Sequence, residues 1–208
     1  MFVSKLMKND HISVIILAAG SSTRMGSHKA FLPYRGQLWI EEILHAYLAV
    51  GIQKVLLITI PEISDDPKMQ KILTNFTQLS IVVNQHPEKG RSHSLHLAAQ
   101  HRLPASGYFL QNIDNPVPSP SILQQMINTL HDGATCTAPQ LDSKILHPTL
   151  VSSAILEHIL SLQNHDWTLK ELLLEYKLSP VLCHDRRLMF NLNTPDDWQM
   201  YINLTLAT

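Results

Sequence analysis

Continuous apolar runs alternate along this chain with stretches in which apolar positions recur every three or four residues. Residues 14–18 form a β-branched run, residues 55–60 a second one ended by Pro61, and Ile81-Val82-Val83 a third. Unbroken runs of this kind suit strands covered on both faces. Between the first two, residues 38–50 carry Ile40, Ile43, Leu44, Tyr47 and Leu48 at helical spacing, and Gly51 stands where such a helix would close. Residues 68–76 predict another helix, with Ser64, Asp65 and Asp66 available as caps before Pro67 at the first helical position. The pattern continues with a helix over residues 92–101, a strand over 108–113 and a helix over 119–130 opened by Pro120. The last third is less regular. A strand is expected near 134–138, helices near 152–162 and 169–176, a short strand over 189–192, and a helix from Pro195.

This βαβα order implies an α/β fold, three layers deep, with helices on both faces of a mostly parallel sheet. With 208 residues, 45% of them hydrophobic, and no repeat, low-complexity stretch or long linker, the chain reads as a single domain over residues 1–208. Residues 1–10 are expected to be a short flexible or irregular lead-in. Lysine and arginine total 16 against 17 acidic residues, so no global field draws the chain to nucleic acid or an anionic membrane. Any anionic ligand must be held locally. Cys136 and Cys183 lie far apart without metal-type spacing, which suits reduced thiols in a cytoplasmic protein. Lys5 and Lys8 ahead of the apolar residues 12–19 imitate a secretory signal, but Asp10 and His11 interrupt it and the run enters a loop bearing Arg24 and Lys29. A buried first strand explains it better. No stretch approaches the roughly 20 apolar residues that span a bilayer. Nothing in the pattern distinguishes a subunit interface from ordinary apolar surface, so oligomeric state stays open.

In open α/β sheets ligands sit beyond the carboxyl ends of the strands, and the loop after the first strand commonly takes phosphates. Here that loop reads Leu17-Ala18-Ala19-Gly20-Ser21-Ser22-Thr23-Arg24-Met25-Gly26-Ser27-His28-Lys29. Its small residues can expose backbone N–H groups to phosphate oxygens, while Arg24 and Lys29 add fixed charge. Neither Gly-x-Gly-x-x-Gly nor the Gly-Lys-Ser/Thr of a P-loop is present, which disfavours dinucleotide binding and P-loop hydrolysis. On the residues alone, an ordinary strand-to-helix turn with two solvent-facing cations remains open.

The string Leu17-Ala18-Ala19-Gly20-x-Ser22-x-Arg24-Met25-Gly26-x-x-Lys29 resembles the signature of the MobA-like nucleotidyltransferases, which have a Rossmann-like GT-A fold. That resemblance extends over nearly the whole chain. It implies a Mg2+-dependent enzyme that transfers NMP from an NTP to a phosphorylated small-molecule acceptor with release of pyrophosphate. Arg24 and Lys29 would be the catalytic cations, with Leu17, Ala18, Ala19, Gly20 and Ser22 at the nucleotide.

Further motifs carry the same likeness. Residues 84–95, including Gln85, Gly90 and Ser94, resemble the segment that lines the base pocket, although by themselves they are a turn and a helix cap. Asp114 follows the 108–113 strand in Asp114-Asn115-Pro116, where an Asx turn is one reading and the family's metal-binding aspartate another. Asn193, ahead of Thr194-Pro195, matches the family's second metal ligand, where many relatives carry aspartate. His147-Pro148 and residues 167–173 stand where relatives have acceptor-side motifs, and His147 is read either as a turn residue or as a substrate contact. His93 and His96 share a helical face, but no third ligand at telling spacing supports a zinc site.

The resemblance leans toward the CTP-using molybdopterin cytidylyltransferase branch, because Ala18-Ala19-Gly20 and Ser94-Leu95 differ from the Ala-Gly-Gly of the guanylyltransferases. CTP or GTP is thus the expected donor and molybdopterin an expected acceptor. A sugar-1-phosphate or other alcohol phosphate is the alternative acceptor. A non-catalytic nucleotide-binding partner protein is the alternative of another class, and a purely structural α/β module is a third.

Overall fold

The structure is a computed structural model that describes residue 9 and residues 11–20 and 25–206. Apart from Asn9, the lead-in expected over residues 1–10 therefore lies outside the described residues.

Val14, Ile15 and Ile16 are buried because β1 (Ile12–Leu17) runs through the middle of the main sheet. It lies parallel to β4 (Val55–Thr59) on one side and to β6 (Gly107–Asn112) on the other. Beyond β4 lies β5 (Leu79–Val83), also parallel. On the far side of β6 the sheet turns mixed: β9 (Thr149–Ser152) pairs antiparallel with both β6 and β7 (Cys136–Leu141), and β10 (Leu178–Leu182) runs parallel to β7 at the edge. A short β8 (Lys144–Ile145) folds back on β7, and β2 (Pro33–Tyr34) and β3 (Gln37–Leu38) make a separate hairpin.

Side chains alternate across β1, and each face has its own core. Val14 and Ile16 pack with Val55, Leu57 and Phe109 beneath α1 (Trp39–Ala49), α3 (Pro67–Asn75), α5 (Pro120–His131) and α8 (Pro195–Leu206). Ile15 packs with Leu56, Ile58, Tyr108 and Leu110 beneath α4 (Gly90–Gln100), α6 (Ser153–Ser161) and α7 (Leu169–Leu173). Both faces of the central strands are thus dry, which is why they read as unbroken apolar runs. The expected three-layer α/β fold with a mostly parallel, mixed sheet is the one observed.

Local chemistry explains the element ends. The Asp66 carboxylate accepts from the Lys68 N–H and Pro67 opens α3. The Gly51 N–H returns to the Leu48 carbonyl just past α1. One expected strand is absent: residues 186–189 form a 3-10 turn capped by Asp185, and residues 190–192 pair with no strand. The helix expected over 169–176 stops at Leu173, and the strand expected over 134–138 lies at Cys136–Leu141. The short helix α2 (Pro61–Ser64) and strands β2, β3, β8, β9 and β10 were not anticipated. They are short, and β10 contains Pro180, which its place at the sheet edge tolerates.

From β1 the chain moves outward to β4 and β5, then returns to lay β6 on the other side of β1. Strand order reverses between β1 and β6, whose paired carboxyl ends are Leu17 and Asn112. The crevice beyond them is where a ligand is expected in such a sheet.

Candidate functional site

The ends of β1 and β6 continue as ordered backbone. The Ala18 N–H donates to Ile58 and the Ile113 N–H to Leu17, so Ala18 and Ile113 leave the sheet from fixed positions. Nothing lies within 4 Å of a Cβ built on Gly20. Ser22 and Arg24, expected at the phosphates, lie outside the described residues. Where the description resumes, Met25 is buried and Gly26 has φ +69°, the left-handed region that favours glycine. His28 then packs near the carbonyls of Ala18 and Gly20, and burial pushes its pKa below the ordinary imidazole value. Its Nδ1 accepts from the Ala30 N–H and starts the 3-10 turn Lys29–Phe31.

That turn aims Lys29 inward. The side chain is 11% exposed, its Nζ donates to Asn193 Oδ1 at 2.7 Å, and Asp114 Oδ2 lies 3.7 Å away. Three residues from distant parts of the chain, expected respectively as catalytic cation and as metal ligands, therefore meet at one point. The structure places them together; a chemical role for each is a further step.

Asp114 is held by its neighbours. The Trp39 indole N–H donates to the Ile113 carbonyl at 2.8 Å, and the Asp114 carbonyl accepts the Leu192 N–H at 2.8 Å. Beneath the turn, the buried Tyr47 hydroxyl donates to Gln111 Oε1, and Gln111 Nε2 donates to the carbonyls of Asn112 and Asn115. Burial holds the Tyr47 phenol well above its ordinary pKa, so it remains a donor. Asn115 Nδ2 donates to Asn191 Oδ1, tying this turn to the segment that delivers Asn193. Residues 190–192 are thus recruited to the site instead of the sheet. Tyr47→Phe should leave Gln111 Oε1 without its buried donor and cost about 1–2 kcal/mol, measured by urea unfolding. An unchanged unfolding midpoint would remove this network from the account of how Asp114 is held.

Asn193 is fixed from the other side. Its N–H and that of Thr194 donate to Asp197 Oδ2, while the Asp197 N–H donates to Thr194 Oγ1. This reciprocal cap starts α8 at Pro195. Hydrogen bonding to Thr194 lowers the pKa of Asp197.

The residues expected at the base follow β5. Asn84 is fully buried, its Nδ2 donates to Ser94 Oγ, and its Oδ1 accepts the His86 N–H. Gly90 opens α4 at φ +82° with nothing within 4 Å of an added Cβ, and Gln85 is exposed. The Ser94 hydroxyl is therefore partly engaged inside the protein. His147 stands on the mixed side of the sheet, before a cis His147–Pro148 peptide. Burial pushes its pKa down, opposed by Asp114 and reinforced by Arg91.

Arg91 was missed in the sequence. Its Nη2 lies 3.4 Å from Asp114 Oδ2, and it links the first turn of α4 to the Lys29, Asp114 and Asn193 group. A cation beside Gly90 at a helix start was the available signal. Asn84, Gln111 and Asn115 were also passed over, since nothing marks an amide as structural until its partners are known. Among the described residues, no three His, Cys, Asp or Glu side chains gather as a metal centre, and no helix is long and apolar enough to cross a membrane.

A mixed sheet of mostly parallel strands flanked by helices is the GT-A-like fold of nucleotidyltransferases. The MobA-like NTP transferase domain model matches residues 14–180, and the chain belongs to that family. The match ends short of Asn193. No curated protein matches the sequence, but solved structures match the fold. A manganese complex of Rv0371C from Mycobacterium tuberculosis H37Rv has a TM-score of 0.73 at 19% identity, covering 93% of this chain and 98% of that one. The 4-diphosphocytidyl-2C-methyl-D-erythritol synthase of Anaerococcus prevotii has a TM-score of 0.74 at 16% identity, covering 97% and 98%. The molybdopterin-guanine dinucleotide biosynthesis protein A of Archaeoglobus fulgidus has a TM-score of 0.63 at 18% identity, covering 94% and 100%. At these identities the likeness concerns the fold.

Proposed function

We propose that this nucleotidyltransferase moves NMP from CTP or GTP to a phosphorylated small-molecule acceptor such as molybdopterin and releases pyrophosphate, acting as one domain with Mg2+. The observation that carries the reading is the meeting of Lys29 with Asp114 and Asn193 beyond the ends of β1 and β6. An ammonium held between a carboxylate oxygen and an amide oxygen supports reading this point as one that takes a cation and, next to it, phosphate.

The acceptor's phosphate oxygen attacks the α-phosphorus in line; the bond from that phosphorus to the bridging oxygen breaks, and pyrophosphate leaves with the electron pair. The backbone after Leu17, through Ala18, Ala19 and Gly20, together with Ser22 and Arg24, receives the triphosphate. Lys29 sets its charge against the oxygens where charge grows. Gly90 leaves room for the base, with Gln85 and Ser94 beside it. His147, neutral at pH 7 because burial pushes its pKa down, serves the acceptor side without adding charge.

Asp114 and Asn193 fit a divalent cation. Both offer hard oxygen donors, both already face the Lys29 ammonium, and a magnesium ion commonly takes one or two protein ligands and fills the rest with phosphate and water. Such an ion would neutralise charge on the reacting phosphates. The neutral amide of Asn193 makes Asp114 the main source of attraction. The choice of CTP rests on Ala18-Ala19-Gly20 and Ser94-Leu95, and molybdopterin on the family likeness. A sugar-1-phosphate or other alcohol phosphate is served by the same donor half-site.

A thermal-shift panel of the four NTPs with Mg2+ tests the donor. CTP or GTP at a hundred times its dissociation constant should raise Tm by about 5–10 °C, from the roughly 2.7 kcal/mol of linkage. No shift with any NTP would sink the proposal. A shift without pyrophosphate release across phosphorylated acceptors would mark the chain as a nucleotide-binding partner protein instead.

A further inference from the structure

Asp114 Oδ2 faces two cations, Lys29 Nζ at 3.7 Å and Arg91 Nη2 at 3.4 Å, and the two are held very differently. Lys29 is 11% exposed, sits on the capped 3-10 turn and is anchored by Asn193. The Arg91 side chain is 74% exposed, and among the described residues Asp114 is its one hydrogen-bond partner. Its contact runs through a single nitrogen, without the paired geometry that makes arginine–carboxylate contacts strong. An exposed single contact of this kind is weak and screened. The backbone of Arg91 lies in the first turn of α4, while its long side chain reaches across to Asp114.

We infer that Arg91 is a placeholder cation. Its guanidinium occupies the Asp114 carboxylate until a divalent cation takes that oxygen, and then passes to a phosphate of the bound nucleotide. This rests on the reading of Asp114 as a metal ligand given above. The charge count favours the exchange. Lys29 stays with Asp114 and Asn193, the arriving ion makes a second cation on one carboxylate oxygen redundant, and the triphosphate brings the negative charge that Arg91 then lacks. Arginine suits the second position because its planar donors match phosphate oxygens.

The inference separates metal binding from nucleotide binding, and Mn2+ titration followed by electron paramagnetic resonance reads both. The proteins are the wild type, Arg91→Gln, Arg91→Lys and Asp114→Asn, each verified as folded by its thermal melt. For Mn2+ alone, Arg91→Gln should bind about three- to fivefold tighter than wild type, the size expected for removing one exposed ion-pair competitor. Arg91→Lys should stay near wild type. For CTP with saturating Mn2+, the order should reverse, with Arg91→Gln binding the nucleotide at least about fivefold more weakly, as for loss of a charged hydrogen bond. Unchanged or weaker Mn2+ binding in Arg91→Gln overturns the inference. So does a gain for both Mn2+ and the nucleotide, which would leave Arg91 as a cation that only repels metal. If Asp114→Asn binds Mn2+ as well as wild type does, the metal-ligand reading itself fails and takes this inference with it. Loss of Mn2+ binding in Asp114→Asn with no gain in Arg91→Gln sinks the placeholder role alone.

Discussion

Asp114→Asn is expected to lower pyrophosphate release by about a thousandfold while leaving the protein folded, in line with the cost of removing a transition-state charge stabiliser. Shape and backbone argue that the fold survives. Asparagine has nearly the same volume, the Asp114 carbonyl that receives Leu192 is unaffected, and the Gln111 and Asn115 network around the turn does not use the Asp114 side chain. Charge argues that turnover does not survive. Among the described residues Asp114 supplies the carboxylate beside Lys29, because Asn193 is neutral and Asp197 turns its Oδ2 to the amides of Asn193 and Thr194. The measurement is single-turnover pyrophosphate release at saturating NTP and Mg2+. Turnover within about tenfold of wild type would remove Asp114 from the chemistry.

Lys29→Ala is expected to lower kcat by about 100- to 1000-fold, with a smaller change in KM for the NTP, because the ammonium acts where charge grows on the phosphates and not mainly on the ground state. It also strips Asn193 Oδ1 of its 2.7 Å donor, so a modest loss of stability should accompany the loss of rate. Lys29→Met keeps the stem that packs at the site and separates the two effects. If Lys29→Met turns over like the wild type, or if the whole defect lies in KM, Lys29 is a binding residue and the transition-state role is wrong.

The central strands were legible in the sequence because β1 and β4 are covered on both faces and therefore carry unbroken apolar runs, a signal that needs no knowledge of partners. The same holds for α3, whose start is written in Asp66 and Pro67, and for the end of α1 at Gly51. Residues 190–192 defeated the pattern. Their apolar character suggested a strand, but their hydrogen bonds are claimed by the turn at Asp114, a partner some eighty positions away. Strands β9 and β10 failed for a related reason: they are short, β10 sits at an edge, and their existence depends on β7 being there to pair with.

The loop from Leu17 to Lys29 carried the likeness to the MobA-like transferases in consecutive residues, although by residue type alone it left an ordinary strand-to-helix turn open. Asp114 and Asn193 could be named from the same likeness, one at a time. Tertiary structure alone decided that their side chains converge on the Lys29 ammonium, that Arg91 joins them from α4, and that Asn84, Gln111, Asn115 and Tyr47 hold the frame. Backbone preference and burial are written in neighbouring residues and can be read along a chain. A shared counterion is a relation between side chains separated by up to 164 positions, and it comes into being only when the reversal of strand order brings the ends of β1 and β6 together.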